Sequence, residues 1–200
     1  NISMQAQLTN TISLAAQWFF QWESYRFPEV GAFLGPADVY LNGADSYLIA
    51  TGIPMMPYYA VLKGVSAEPD GTGNYGVSVR WNPEWLGGSI GFYYRRFADM
   101  EPQLGLLVDV INGNRFFFMY GDEIDLYGLS LSTKVFGVSL GSELSYRKNM
   151  PLFSGPGIVM PGVVGLPGIF SALPGKGETY GARGNTFHGV VNFMGLIAKT

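Results

Sequence analysis

The stretch Ile12–Glu23, ISLAAQWFFQWE, decides the fold class. Ile12, Leu14, Ala16, Trp18, Phe20 and Trp22 alternate with Ser13, Ala15, Gln17, Phe19, Gln21 and Glu23, a period of two that marks a β-strand. Successive side chains of a strand point to opposite faces. One face here is apolar throughout and aromatic at one end, while the other is mainly small or polar. A wall between hydrocarbon and water needs that pairing of faces.

The same period recurs downstream. Tyr75, Val77, Val79 and Trp81 alternate with Gly76, Ser78, Arg80 and Asn82, and Ile90, Phe92 and Tyr94 alternate with Ser89, Gly91, Tyr93 and Arg95. Tyr127, Leu129 and Leu131 form a third set, and Val138, Leu140, Leu144 and Tyr146 a fourth. A last strand is expected near Gly184–Leu196, where Phe187, Val191 and Phe193 share one face and His188, Asn192 and Met194 the other. With a first strand at Ile2–Leu8, about seven strands are expected.

Their connections alternate between short and long. Thr9-Asn10, Asn82–Gly88 and Lys134–Gly137 are tight, whereas Ser24–Gly73, Ala98–Glu123 and Lys148–Arg183 are long. Short turns at one end and long loops at the other are the asymmetry of outer-membrane barrels. The expected fold is therefore all-β: an antiparallel transmembrane β-barrel segment with long apolar extracellular loops and periplasmic turns. Trp81 and Trp85 would mark one interface, Trp22 and Tyr25 the other. The competing fold is a soluble β-sandwich, which would bury Trp18, Phe20, Trp22 and Tyr75–Trp81 between two sheets.

Composition points the same way. Hydrophobic residues make up 48% of the 200 residues and charged ones only 14%, against about 25% charged in soluble domains. No window approaches the roughly 18 apolar residues of a membrane helix, so the apolar character lies in short segments. The absence of cysteine removes disulfide and thiolate chemistry. A net charge of −3 gives no basic surface for nucleic acid. The chain opens at Asn1 with neither an initiator Met nor a signal peptide, and a processed or excised segment is expected.

Arg80, Arg95, Glu143 and Arg147, with Glu23, fall on the polar face. Two readings fit them: a solvated or mutually paired interior network, or a selectivity ladder for anionic or carboxylated solutes. The segment Met150–Gly175, MPLFSGPGIVMPGVVGLPGIFSALPG, is almost uncharged and too rich in proline for a regular helix. Its Met150, Phe153, Ile158, Met160 and Phe170 are candidates for a hydrophobic binding site, or for a plug or packed cap. Gly31–Val61 has similar character. His188 is the single histidine and has no second histidine for metal or triad chemistry. Asp122, Glu123 and Asp125 lack calcium-loop spacing, and Gly71, Gly73 and Gly76 lead into a strand, unlike a phosphate loop. No cofactor, metal site or catalytic group is expected.

The run Gly121–Leu152, GDEIDLYGLSLSTKVFGVSLGSELSYRKNMPL, resembles a proteobacterial family of large outer-membrane barrels of unknown function. Gln17–Gly35, QWFFQWESYRFPEVGAFLG, and Ala182–Asn192, ARGNTFHGVVN, support the resemblance. It implies that residues 1–200 are part of a single barrel domain in the outer membrane of a Gram-negative bacterium, as a fragment of a longer protein. The odd strand count, and the lack of a terminal aromatic at Leu196–Thr200, fit that implication. The leading functional expectation is a passive or ligand-gated channel for hydrophobic or amphipathic small molecules, in contact with membrane lipid, by analogy with fatty-acid-transporter-like barrels. The alternative is an assembly protein that docks a partner through its long loops.

Overall fold

Side-chain alternation along the chain becomes one large sheet in the computed structural model, which describes all residues except 34, 36–37, 110, 153–154 and 196–200. Seven strands build it: β1 (Ile2–Gln7), β2 (Ile12–Phe19), β5 (Asn74–Trp81), β6 (Ser89–Phe97), β9 (Ile124–Val135), β10 (Val138–Pro151) and β13 (Arg183–Met194). They lie side by side in chain order, each antiparallel to the next. At one end the strands turn tightly. Phe136 and Gly137 both have positive φ, 50° and 80°, which suits a two-residue hairpin whose twist matches its strands.

The register sorts the two faces. Ala6, Leu14, Val79, Phe92, Leu129 and Leu144 lie opposite one another across six strands. The next row towards the long loops is Met4, Ala16, Val77, Tyr94, Tyr127, Tyr146 and Phe187. On the other face Ser13, Arg80, Gly91, Ser130 and Glu143 form one row, and Gln17, Gly76, Arg95, Leu126, Arg147 and Thr186 another.

The long loops carry a second sheet that the sequence reading did not anticipate. The strands β3 (Ser46–Ile53) and β4 (Met56–Lys63), β7 (Gln103–Leu107) and β8 (Arg115–Met119), and β11 (Gly157–Val159) and β12 (Ile169–Phe170) come pairwise from the first, second and third loops. They assemble in the order β12-β11-β7-β8-β4-β3. The hairpin β7–β8 is its centre: β11 joins β7 in parallel, and β4 joins β8 in parallel. Asp109 shapes the hairpin turn, its Oδ1 accepting the N–H groups of Ile111 and Asn112.

The core sits in this cap. Phe116, Phe117, Met119 and Val159 are almost fully enclosed, and Val39, Val61, Phe118 and Tyr120 join them. The apolar face of the seven-stranded sheet has no such cover: Trp18 is 48% exposed, Phe92 49% and Phe187 67%. The sandwich alternative, in which that face is a buried core, is not what the chain adopts.

Among the described residues β1 and β13 do not pair, so the seven-stranded sheet is open and no closed barrel is seen. Two further expectations are corrected. The second strand ends at Phe19, short of Glu23, because Trp22 swings into the cap, donates its Nε1–H to the carbonyl of Asp99 at 3.1 Å and packs edge-on against Tyr120. That turn takes Glu23 off the polar face and Trp22 out of the interfacial rim. Met150 lies within β10, which runs on to Pro151 across a bulge between Arg147 and Met150.

Candidate functional site

The polar face of the seven-stranded sheet gathers the sequence-derived candidates Arg80, Arg95, Glu143 and Arg147. They do not form the paired network. Among the described residues the ion pairs are Arg26–Glu29, Arg96–Glu123 and Lys176–Asp70, and none involves these four. Arg80 and Glu143 share a row, but Gly91 and Ser130 stand between them. Three strand spacings, roughly 14 Å, separate their backbones.

Tyr93 dominates the centre of this face. Its ring leans over Gly91, where an added Cβ would lie 2.3 Å from the Tyr93 hydroxyl, and abuts Gly128, where a Cβ would lie 3.3 Å from the ring. Glycine at both positions makes the floor on which the ring lies. The hydroxyl is 3.0 Å from Ser130 Oγ. Two clefts flank this ridge. One, of about 700 Å³, is lined by Ser3, Gln5, Gln17, Ser78 and Arg95; the other, of about 630 Å³, by Ser130, Glu143, Ser145, Arg147, His188 and Val190. Tyr93 and Leu126 border both.

The two cleft arginines differ in engagement. The Arg95 guanidinium lies over the rings of Phe97 and Phe19, at 4.9 and 5.7 Å, a cation–π arrangement that occupies its faces. Arg147 has no such partners. Its Nε is buried and unbonded, as is Oγ1 of Thr186, its cross-strand neighbour. His188 lies opposite Ser145, and among the described residues no group of acidic and histidine side chains could hold a metal ion.

The loop candidates do not converge on the arginines. Met150 lines a separate cleft of about 440 Å³ with Phe27, Tyr40 and Gln103. Phe153 lies outside the described residues. Ile158 pairs with Leu106 and Ile169, Met160 donates its N–H to the Phe170 carbonyl, and Phe170 stacks on Tyr180 at 3.9 Å. These three build the cap, and none of them lines the clefts described above.

A junction between cap and sheet was missed in the sequence. Arg183 Nη1 donates to the carbonyls of Asp122 and Asn149 at 2.8 and 3.2 Å, and Nη2 to that of Gly177 at 2.8 Å. One guanidinium thus ties the second and third loops to the bulged end of β10. A Cβ at Gly121 would lie 3.1 Å from this guanidinium, and one at Gly177 would overlap the Asp122 carboxylate. Burial raises the Asp122 carboxyl above its ordinary value; the charge of Glu123 adds to this and Arg183 opposes it. The only signal in the sequence is an arginine beside small residues, which specifies no partner.

On the apolar face, near the cap, Trp18, Tyr75, Tyr94, Tyr127 and Tyr146 form a continuous aromatic ladder with centroid separations of 5.4, 6.0, 5.2 and 6.4 Å. A charged row adjoins it: Arg96 bonds Glu123 at 2.6 Å, and Asp125 accepts from the Tyr94 hydroxyl at 2.8 Å. Trp81 and Trp85 meet at 6.2 Å at the opposite end. Among the described residues no helix is long and apolar enough to cross a membrane, a fact that says nothing of strands.

A family model described as "Protein of unknown function (DUF1302)" matches residues 1–195. No curated protein and no solved structure matches the chain.

Proposed function

The chain belongs to the DUF1302 family, and from that premise we propose that its seven-stranded sheet is part of the wall of an outer-membrane β-barrel in a Gram-negative bacterium, which passes hydrophobic or amphipathic small molecules. The observation that carries the reading is the division of the sheet's faces. One is an uncovered apolar face bordered by the aromatic ladder at one end and the Trp81–Trp85 pair at the other. The other bears serine, glutamine and unpaired arginine side chains around two clefts. Six residue steps take Tyr75 to Trp81, about 20 Å of strand, or about 15 Å of height at a barrel tilt of roughly 40°, so both rings fall within an apolar band about 25 Å tall.

The cap then lies over one mouth of the lumen and restricts what enters. Because seven alternating strands leave β1 and β13 running in the same direction, antiparallel closure takes an odd number of further strands between those edges. Flux of small aromatic solutes into liposomes carrying the protein tests the transport reading. Uptake above that of empty liposomes, altered by removal of residues 155–175, is expected; no uptake with or without that segment contradicts it.

A second reading has an observation of its own. Val164 is 82% exposed and Leu166 54%, so the third loop keeps an apolar strip on the cap's surface. A protein partner docked there would be lost on polar substitution of Val164 and Leu166 while solute flux persisted.

A further inference from the structure

We propose that the cleft beside Tyr93 is a binding site for a carboxylate-bearing amphipath, with Arg147 as the group that takes the carboxylate. The inference rests on the transport reading and names the chemistry of the solute. Three arginines lie on the polar face, and the structure distinguishes them. The faces of Arg95 are occupied by Phe97 and Phe19, and Arg80 lines neither of the two clefts beside Tyr93. Arg147 lines its cleft without an ion-pair or hydrogen-bond partner among the described residues, and its Nε is buried.

A guanidinium with one N–H shut away from water and unbonded, and with no carboxylate paired to it, gains from the binding of an anion. Glu143, the acid of the same cleft, is four residues along the same strand, about 14 Å away in backbone terms, too far to pair directly. The remaining lining specifies the anion. A single guanidinium matches a monoanionic carboxylate through two parallel N–H donors, and Ser145 and His188 offer further polar contacts. Leu126, Val190 and the Tyr93 ring provide an apolar wall for the hydrocarbon part of the ligand. Glu143 at the far end repels a second negative charge, which selects against dianions.

The test uses 4-(trifluoromethyl)benzoate and the neutral 4-(trifluoromethyl)benzyl alcohol, with ¹⁹F line broadening read against empty micelles. Detergent-solubilised wild-type protein is expected to broaden the benzoate and to affect the alcohol far less. Arg147→Gln should weaken benzoate binding by about tenfold or more, as loss of a charge-assisted hydrogen-bond pair implies. Arg147→Lys should restore part of it, and Arg80→Gln should leave it unchanged. Equal binding of acid and alcohol, or benzoate binding indifferent to Arg147→Gln, overturns the proposal. Arg147-dependent binding without liposome flux retains this site and removes the transport reading, whereas flux of benzoate unaffected by Arg147→Gln does the reverse.

Discussion

Arg183 is the residue on which the attachment of the cap depends most visibly. Its guanidinium satisfies three backbone carbonyls at the ends of separate segments, so truncation leaves those acceptors to find water or strain. We expect Arg183→Ala to cost about 2–4 kcal/mol of cap stability, read as earlier proteolytic cleavage within residues 155–182 while the large sheet stays protected. Asp122 adds a pH dependence. Its carboxyl, raised by burial, holds a proton to higher pH in the folded protein than in the unfolded chain. The contribution is therefore favourable at low pH and is lost as pH climbs from about 4 through the raised value. Cleavage of the wild-type cap should quicken over that range, and Asp122→Asn should flatten the change. Neither role was legible in the sequence, because a carbonyl acceptor belongs to every residue and only the fold selects which ones Arg183 meets. The arginines of the polar face were legible, because alternation along a strand assigns a face without any tertiary information. Their lack of partners was not legible, since pairing depends on the spacing across strands.

The seven strands of the large sheet could be read from the sequence because each has two unlike faces, which writes a period of two into the residues. The cap strands carry no such mark. Phe116–Tyr120 is an unbroken apolar run between Gly113-Asn114 and Gly121-Asp122, the pattern of a strand enclosed on both faces, and its neighbours β11 and β12 are too short to show any period. Only pairing across three loops stabilises them. Phe117 should therefore act on all three at once: Phe117→Ala is expected to cost about 3–5 kcal/mol and to expose the first, second and third loops together to protease. Gly105 permits this packing, since a Cβ there would lie 2.3 Å from the Phe117 ring, and Gly105→Ala should loosen the same contacts. In the large sheet the contrast lies between neighbours. Val79→Lys, on the apolar face, should impair folding into a bilayer by about 2–4 kcal/mol near its midplane, while Ser78→Lys, one residue away on the polar face, should have little effect; urea titration of folding into liposomes measures both.

For the whole molecule, the core and the large sheet obey different physics. The cap encloses its aromatic residues as an ordinary domain does, whereas the sheet leaves an apolar face bare, and an uncovered surface of that size in water would aggregate or seek another phase. Hydrocarbon is the phase we assign to it. The chain has no cysteine, so single replacements report one position each. Nitroxide labels at Val77→Cys, Val79→Cys, Leu129→Cys and Leu131→Cys, compared with Ser78→Cys, Arg80→Cys, Ser130→Cys and Ser132→Cys, test the assignment in reconstituted liposomes. We expect the first set to collide readily with molecular oxygen and rarely with a water-soluble nickel chelate, and the second set to show the reverse. Shielding of the first set from both reagents, or its free access to the nickel chelate, would contradict the account.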